Sequence, residues 1–396
     1  MNNPINVCLL NDSFPPTIDG VANVVMNYAK IIQRDFGGAV VATPRYPGVT
    51  DDYPFPVIRY MSVKTSITPD YRMGIPPLNI VHDIKKYPFD IIHCHCPFVS
   101  SVIAKMLRLS VKVPVIMSYH TKYDIDIAHS FDTEVFRSIA KKVIVSNIEA
   151  CDEVWAVSRG AGENLKSLGY QGGYRVMDNG VDFPKGPVPE DIAISTGVDI
   201  GLPESPSDTP VFLYIGRMMW YKNLRLILEG LQKAKAAGAV FKMVFVGGGG
   251  EFDDVVAAAH DLKLNNDCIF TGPIKDREKL RAIYSRADMF LFPSTFDSAP
   301  LAVREAAACG LAGILVRGSA AAEPVTDEKN AVLVEEDPDS LASAIVALSK
   351  NREYMKALGA SAMDDLYLSW DTVVGQAVDR YRKVIEDYTA TLSAKA

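Results

Sequence analysis

The densest chemistry in the chain lies in one stretch, Asp297-Ser298-Ala299-Pro300-Leu301-Ala302-Val303-Arg304-Glu305. Two acids are separated by seven residues, at a point where the pattern changes. Before them, Met289 to Ser294 is a short apolar run closed by turn residues, which reads as a buried strand. After them, Arg304 to Cys309 is alanine-rich and reads as helix. Ligands in an open α/β sheet bind at the carboxyl ends of strands. A helix start adds free N–H groups and partial positive charge, so the seat at Pro300–Leu301, with Ala299 beside it, suits a phosphate. Two carboxylates next to an anion seat suit hydroxyls. A sugar nucleotide presents both features.

Other residues recur at strand ends. Arg217 follows Gly216 after the apolar run Val211–Ile215, and Lys222 comes just before a helix. Two cations there could neutralise a pyrophosphate without a metal; the alternative is a solvated loop pair. Gly247-Gly248-Gly249-Gly250 follows another run, and Gly248 would let a ligand approach the backbone closely, unless the loop is only flexible. Gly272-Pro273-Ile274 holds the same position one strand on and could offer backbone hydrogen bonds to a base edge. Near the amino terminus, Gly20 closes the loop Asn11 to Gly20 before a helix; it is either a turn device or a phosphate contact. His120 ends the run Val113–Tyr119, as a site residue or as a satisfied structural histidine. His93 and His95 alternate with Cys94 and Cys96, which puts both histidines on one face of a strand. A zinc site would need more ligands than this pair, and no metal is assigned.

These residues need elements to hold them. The chain has 396 residues, enough for two domains. Apolar runs alternate with helical stretches through Val181, which predicts a doubly wound parallel sheet. A second alternation starts at Val211. The reading is α/β: two doubly wound Rossmann-like domains facing a cleft, at 1–183 and 210–370. A linker at 184–209, rich in proline, aspartate and serine, joins them, and a last helix follows at 371–396. At 48% hydrophobic and 22% charged residues the composition is that of a soluble globular protein. A net charge of −7 leaves no basic excess for nucleic acid. Six scattered cysteines without Cys-x-x-Cys spacing, no signal segment and no spanning apolar stretch predict a reduced, cytoplasmic protein.

With these pieces placed, the chain resembles the family 4 retaining glycosyltransferases of the GT-B fold over nearly its whole length. The likeness rests on Phe14-Pro15-Pro16 with Asp19-Gly20-Val21, Asp90 to His95, Ser118-Tyr119-His120-Thr121 and Asn179-Gly180-Val181-Asp182. It continues through Gly216-Arg217, Lys222-Asn223, Phe292-Pro293-Ser294 and Glu305 to Gly310. The resemblance implies a nucleotide-sugar donor held mainly by the second domain. Arg217 and Lys222 would bind the diphosphate, Glu305 the ribose hydroxyls, and Asp297 the donor sugar. His120 would contact the sugar and assist the reaction, and Gly20 would lie near the phosphates and acceptor. The donor site would also take in Gly248, Ile274, Ala299, Pro300 and Leu301. No cofactor or catalytic metal is implied, and the final helix would cross back to the first domain. Asp297 is one methylene shorter than the family's usual glutamate, Pro300 stands at a glycine position, Asp19 replaces glycine or asparagine, and Gly318-Ser319-Ala320 replaces a double glycine.

The expected function is transfer of a hexose from a nucleotide sugar, UDP-glucose or similar, to a lipid or saccharide acceptor. The Asp19-Gly20-Val21 turn and His120 to Asp124 resemble the branch that glucosylates diacylglycerol. Helical stretches Val102–Leu109 and Val135–Ile144 mix apolar residues with Lys105, Arg108, Arg137, Lys141 and Lys142. They suit either peripheral contact with the inner face of a membrane or ordinary half-solvated packing. The competing functions are a nucleotide-sugar epimerase, a phosphorylase on the same plan, and an inactive nucleotide-sugar-binding protein.

Overall fold

The computed structural model describes residues 3–17, 19–64, 71–77, 79–124, 127, 133–204 and 209–395. The chain divides into two compact units, Met1–Asn179 with Trp370–Ala396, and Gly180–Ser369.

The first unit carries a seven-stranded sheet of β1 (Ile5–Leu10), β2 (Gly37–Pro44), β3 (Val57–Tyr60), β6 (Ile91–Cys94), β7 (Val115–Tyr119), β8 (Glu153–Ala156) and β9 (Arg175–Val176). Their order is β3-β2-β1-β6-β7-β8-β9, and every pairing is parallel. The central strands are apolar without alternation because helices cover both faces; β6 and β7 are buried at every position. A short antiparallel ribbon, β4 (Ser62–Lys64) with β5 (Arg72–Gly74), stands apart. The run Val57–Val63 is thus broken between β3 and β4.

The final helix, Trp370–Lys395, packs on this unit. Tyr381 stacks on Trp155 with ring centroids 5.3 Å apart, and Arg380 forms a bidentate pair with Glu153.

The second unit is a six-stranded parallel sheet of β10 (Val211–Ile215), β11 (Lys242–Val246), β12 (Cys268–Gly272), β13 (Met289–Phe292), β14 (Gly313–Val316) and β15 (Ala331–Val334). The order β12-β11-β10-β13-β14-β15 is doubly wound. Phe212, Phe245, Phe290, Leu213 and Leu291 are fully buried at its centre.

The segment expected as a linker is folded. The division falls at Asn179 and Gly180, so residues 180–183 belong to the second unit. Within 184–209, a helix at Glu190–Asp199 lies against helix Arg277–Arg286. Arg281 donates to the Gly186 carbonyl at 2.9 Å, and the Ser285 hydroxyl accepts from the Val188 N–H at 3.1 Å. The helix buries only Ala193 and Gly197, so its apolar stripe is too narrow to show in the sequence. Residues 205–208 of that segment lie outside the described residues.

In each sheet the connections reverse direction once, between β1 and β6 and between β10 and β13. Such a switch opens a crevice at the carboxyl ends of the strands.

Candidate active site

In the second unit, β10 and β13 are neighbours, so the loops that leave them meet at the switch. Arg217 leaves β10 at once and is exposed. Its loop is stapled to the glycine loop by Met218 N–H donating to the Gly248 carbonyl at 2.9 Å. Gly247 is needed here for the backbone alone. Its φ is +139°, and a β-carbon would sit 1.9 Å from the Gly216 carbonyl oxygen. Gly248 is under no such constraint, since a β-carbon would meet Pro273 at an ordinary 3.5 Å.

Asn223 then fixes the approach to β13. It adopts φ 59°, and its side-chain amide donates to the Pro293 carbonyl at 2.9 Å and to Glu336 at 2.6 Å. This brings Lys222 against Asp297. The Lys222 ammonium donates to Asp297 Oδ1 at 2.6 Å, and both side chains are largely buried. The ammonium also lies 4.9 Å from the Phe296 ring centroid and 5.3 Å from that of Tyr221. Among the described residues, Asp297 Oδ2 is buried without a hydrogen-bond partner. The shorter acid therefore reaches the lysine with one oxygen and keeps the other for a donor group. Lys222 has two further N–H groups to offer.

Pro300 caps helix Leu301–Ala308 with φ −67° and ψ 120°. Proline loses its own N–H, but the next N–H groups of a helix start have no partner within the helix. Ala299, Pro300 and Leu301 thus stand at the helix entrance, as the sequence predicts. Glu305 lies one turn further in and is buried. Its Oε1 accepts from Arg277 at 2.7 Å, and its Oε2 from the Tyr284 hydroxyl at 3.0 Å. Arg277 also pairs with Asp182 and lies over the Phe183 ring at 4.3 Å. Sequence reasoning missed Arg277 and Tyr284, which sit unmarked in a helix of mixed charge. Asp182 was visible only as the end of Asn-Gly-Val-Asp. Ile274 leaves β12 partly buried against the core.

In the first unit, Asp19 caps helix Gly20–Ile31, accepting from the Ala22 N–H at 2.7 Å. Among the described residues, a β-carbon at Gly20 would meet nothing within 4 Å, so none of their contacts requires glycine there. His120 ends β7, half-buried, with Nε2 3.1 Å from Nδ1 of His95 and the two rings stacked at 5.3 Å. Burial pushes the His120 imidazole down to about 4, so it is neutral at physiological pH. Burial also holds His95 and His93 well below the ordinary range.

His93 and His95 do share a face, with centroids 3.9 Å apart. His93 uses both nitrogens inside the unit, on the Tyr381 hydroxyl at 2.6 Å and the Ser118 hydroxyl at 2.8 Å. Among the described residues no group of three or more His, Cys, Asp and Glu side chains is placed to hold a metal.

Comparison with solved structures defines the class. The chain superposes on Anabaena Alr3699/HepE in complex with UDP with a TM-score of 0.75 at 16% identity, covering 96% of this chain and all of that one. It superposes on sucrose-phosphate synthase from Thermosynechococcus elongatus with a TM-score of 0.75 at 21% identity, covering 97% of this chain and all of that one. The fold is that of the GT-B glycosyltransferases.

Two family matches divide the chain between them. Residues 18–184 match Glycosyltransferase Family 4, and residues 202–365 match Glycosyl transferases group 1. The protein belongs to the family 4 glycosyltransferases. Relatives include the alpha-monoglucosyldiacylglycerol synthase of Streptococcus pneumoniae, 23% identical over 77% of this chain and 70% of that protein. A GDP-mannose-dependent alpha-mannosyltransferase of Corynebacterium glutamicum is 23% identical over 96% of this chain and 90% of that protein. The sulfoquinovosyl transferase SQD2 of Arabidopsis thaliana is 23% identical over 92% and 71%.

Proposed function

We propose that the protein is a retaining glycosyltransferase that moves a hexose from a nucleotide sugar, with UDP-glucose as the first candidate, to a lipid acceptor of the diacylglycerol type. A saccharide is the second acceptor class. The observation that carries this reading is the Lys222–Asp297 pair at the switch between β10 and β13, on the segment after β10 that also carries Arg217. In this reading the diphosphate lies on Arg217, on Lys222 and on the start of helix Leu301–Ala308. These groups stabilise the negative charge that grows on the leaving phosphate, the role a metal would otherwise fill. Asp297 holds the lysine in place and offers Oδ2 to a sugar hydroxyl. Glu305 accepts from the ribose. His120, neutral, hydrogen-bonds the sugar without adding a competing charge. The leaving diphosphate takes the acceptor's proton on the face it departs from, so the anomeric configuration is kept.

The lipid acceptor is supported by the alpha-monoglucosyldiacylglycerol synthase relative and by one surface of the first unit. Helices Val99–Arg108 and Glu134–Glu149 expose Val102, Val135, Phe136, Ile139 and Val143, and Leu109 follows the first of them fully in solvent. Lys141 and Lys142 stand on the second helix. Bulky apolar side chains among lysines suit the interface of an anionic membrane. No helix among the described residues is long and apolar enough to cross one. In this reading the protein works from the cytoplasm, peripherally on the inner face.

The test is a panel of nucleotide sugars scored by thermal stabilisation, then the best donor offered to diacylglycerol vesicles and simple sugars. A ligand bound only by the native state raises the melting temperature. The reading expects a UDP-sugar to give the largest shift and to be consumed only with acceptor. Interconversion of the free nucleotide sugar with no acceptor present would favour an epimerase.

A further inference from the structure

We propose that Arg277 and Tyr284 are positioning residues that hold Glu305 as a two-pronged acceptor for the ribose diol of the donor. The inference rests on the donor site proposed above and adds to it the source of nucleotide selectivity.

An ionised carboxylate has about four lone-pair sites, two on each oxygen. In Glu305, Arg277 takes one site on Oε1 and Tyr284 one on Oε2. One site remains on each oxygen, which matches two neighbouring hydroxyls that both donate. Glu305 is only 7% exposed, and the Arg277 guanidinium pairs with it at 2.7 Å. Burial and the neighbouring Glu305 carboxylate hold the Tyr284 phenol well above its usual range, so it remains a donor at any working pH.

The arginine is itself fixed, which a merely structural surface residue need not be. Asp182 takes the same terminal nitrogen, and the Phe183 ring lies beneath the guanidinium at 4.3 Å. Helix Arg277–Arg286 does not need Arg277 to start, because Asp276 caps it by accepting from the Glu278 and Lys279 N–H groups. Arg277 also lies three residues after Ile274, the position expected to meet the base. The diol reader and the base loop are thus tied through one side chain.

A site built to hydrogen-bond a hydroxyl rejects an analogue that lacks it. The experiment is calorimetric titration with whichever of UDP, GDP and ADP the wild type binds most tightly, and with its 2′-deoxy counterpart. Wild type, Arg277→Gln, Tyr284→Phe and Glu305→Ala are compared, with melting curves to confirm folding. Wild type is expected to prefer the ribonucleotide at least ~10-fold. Glu305→Ala should abolish the preference. Arg277→Gln and Tyr284→Phe should each cut it to within ~3-fold while leaving deoxy affinity near wild type. Full preference in both positioning variants, with loss in Glu305→Ala, overturns the proposal and leaves the ribose assignment standing. So does an equal fall for both ligands, which is the mark of a general structural role. A preference that survives Glu305→Ala, or no binding of any of the three nucleotides, removes the donor-site reading and the proposal with it.

Discussion

Lys222→Met isolates the grip on the diphosphate. Methionine keeps most of the side chain's length and its apolar stem, so it continues to pack near Phe296 and Tyr221. It removes the ammonium that donates to Asp297 at 2.6 Å and, in this account, to the leaving phosphate. Two costs follow. Asp297 is left as an unpaired acid in a site where the two side chains are 21% and 11% exposed. Breaking a fully buried pair costs ~3–5 kcal/mol, and this residual exposure reduces it to about 2. Separately, a charge-assisted bond to phosphate is lost, worth ~1.5–3 kcal/mol. The first cost falls on stability and the second on donor affinity, so they can be measured apart. Melting and UDP titration of Lys222→Met should show a lower melting temperature and roughly 10- to 100-fold weaker binding. The double variant with Asp297→Asn should recover most of the stability but none of the affinity, because the neutral amide no longer needs the lysine. UDP affinity equal to wild type in Lys222→Met would refute the assignment of this lysine to the diphosphate.

Other consequences are independent of that pair. Gly20→Ala places a methyl where the protein has open space, so stability should hold or rise by ~0.5–1 kcal/mol while kcat/KM falls, if a ligand passes there; unchanged kcat/KM would contradict it. Gly247→Ala should be poorly folded by circular dichroism, because its β-carbon would overlap the Gly216 carbonyl. His120 sits at about 4 in the folded chain and near 6.5 unfolded. The unfolded chain therefore binds the proton first, so stability is lost as pH falls from about 6.5 toward 4, and His120→Asn should lessen that loss in melts at pH 7 and pH 5. By the same shift, kcat/KM should show no inflection between pH 6 and 7 that His120→Asn removes. Phe136→Ser with Ile139→Ser should weaken binding to anionic vesicles while leaving UDP affinity unchanged; equal vesicle binding would argue that these helices are ordinary solvated faces.

Much of this architecture is legible in the chain. Runs such as Val211–Ile215 and Met289–Phe292 are apolar because parallel strands are covered on both sides, and that pattern survives in one dimension. Arg217, Lys222, Asp297 and Glu305 are visible for the same reason: strand ends locate them. What the sequence hides is convergence across strands. The contact of His95 with His120 depends on β6 pairing with β7, and the hold of Arg277 and Tyr284 on Glu305 depends on the path of a helix from β12 to β13. The ribbon of β4 and β5 and the helix at Glu190–Asp199 are short and mostly solvated, so neither leaves a periodic apolar signal.

Retention of the anomeric configuration on transfer can be followed at the donor's anomeric proton by NMR in the presence of diacylglycerol vesicles. The α-linked donor signal should decay only when acceptor is present, with an α-glycoside growing in its place. A β-glycoside, or decay of the donor signal without acceptor, would contradict it.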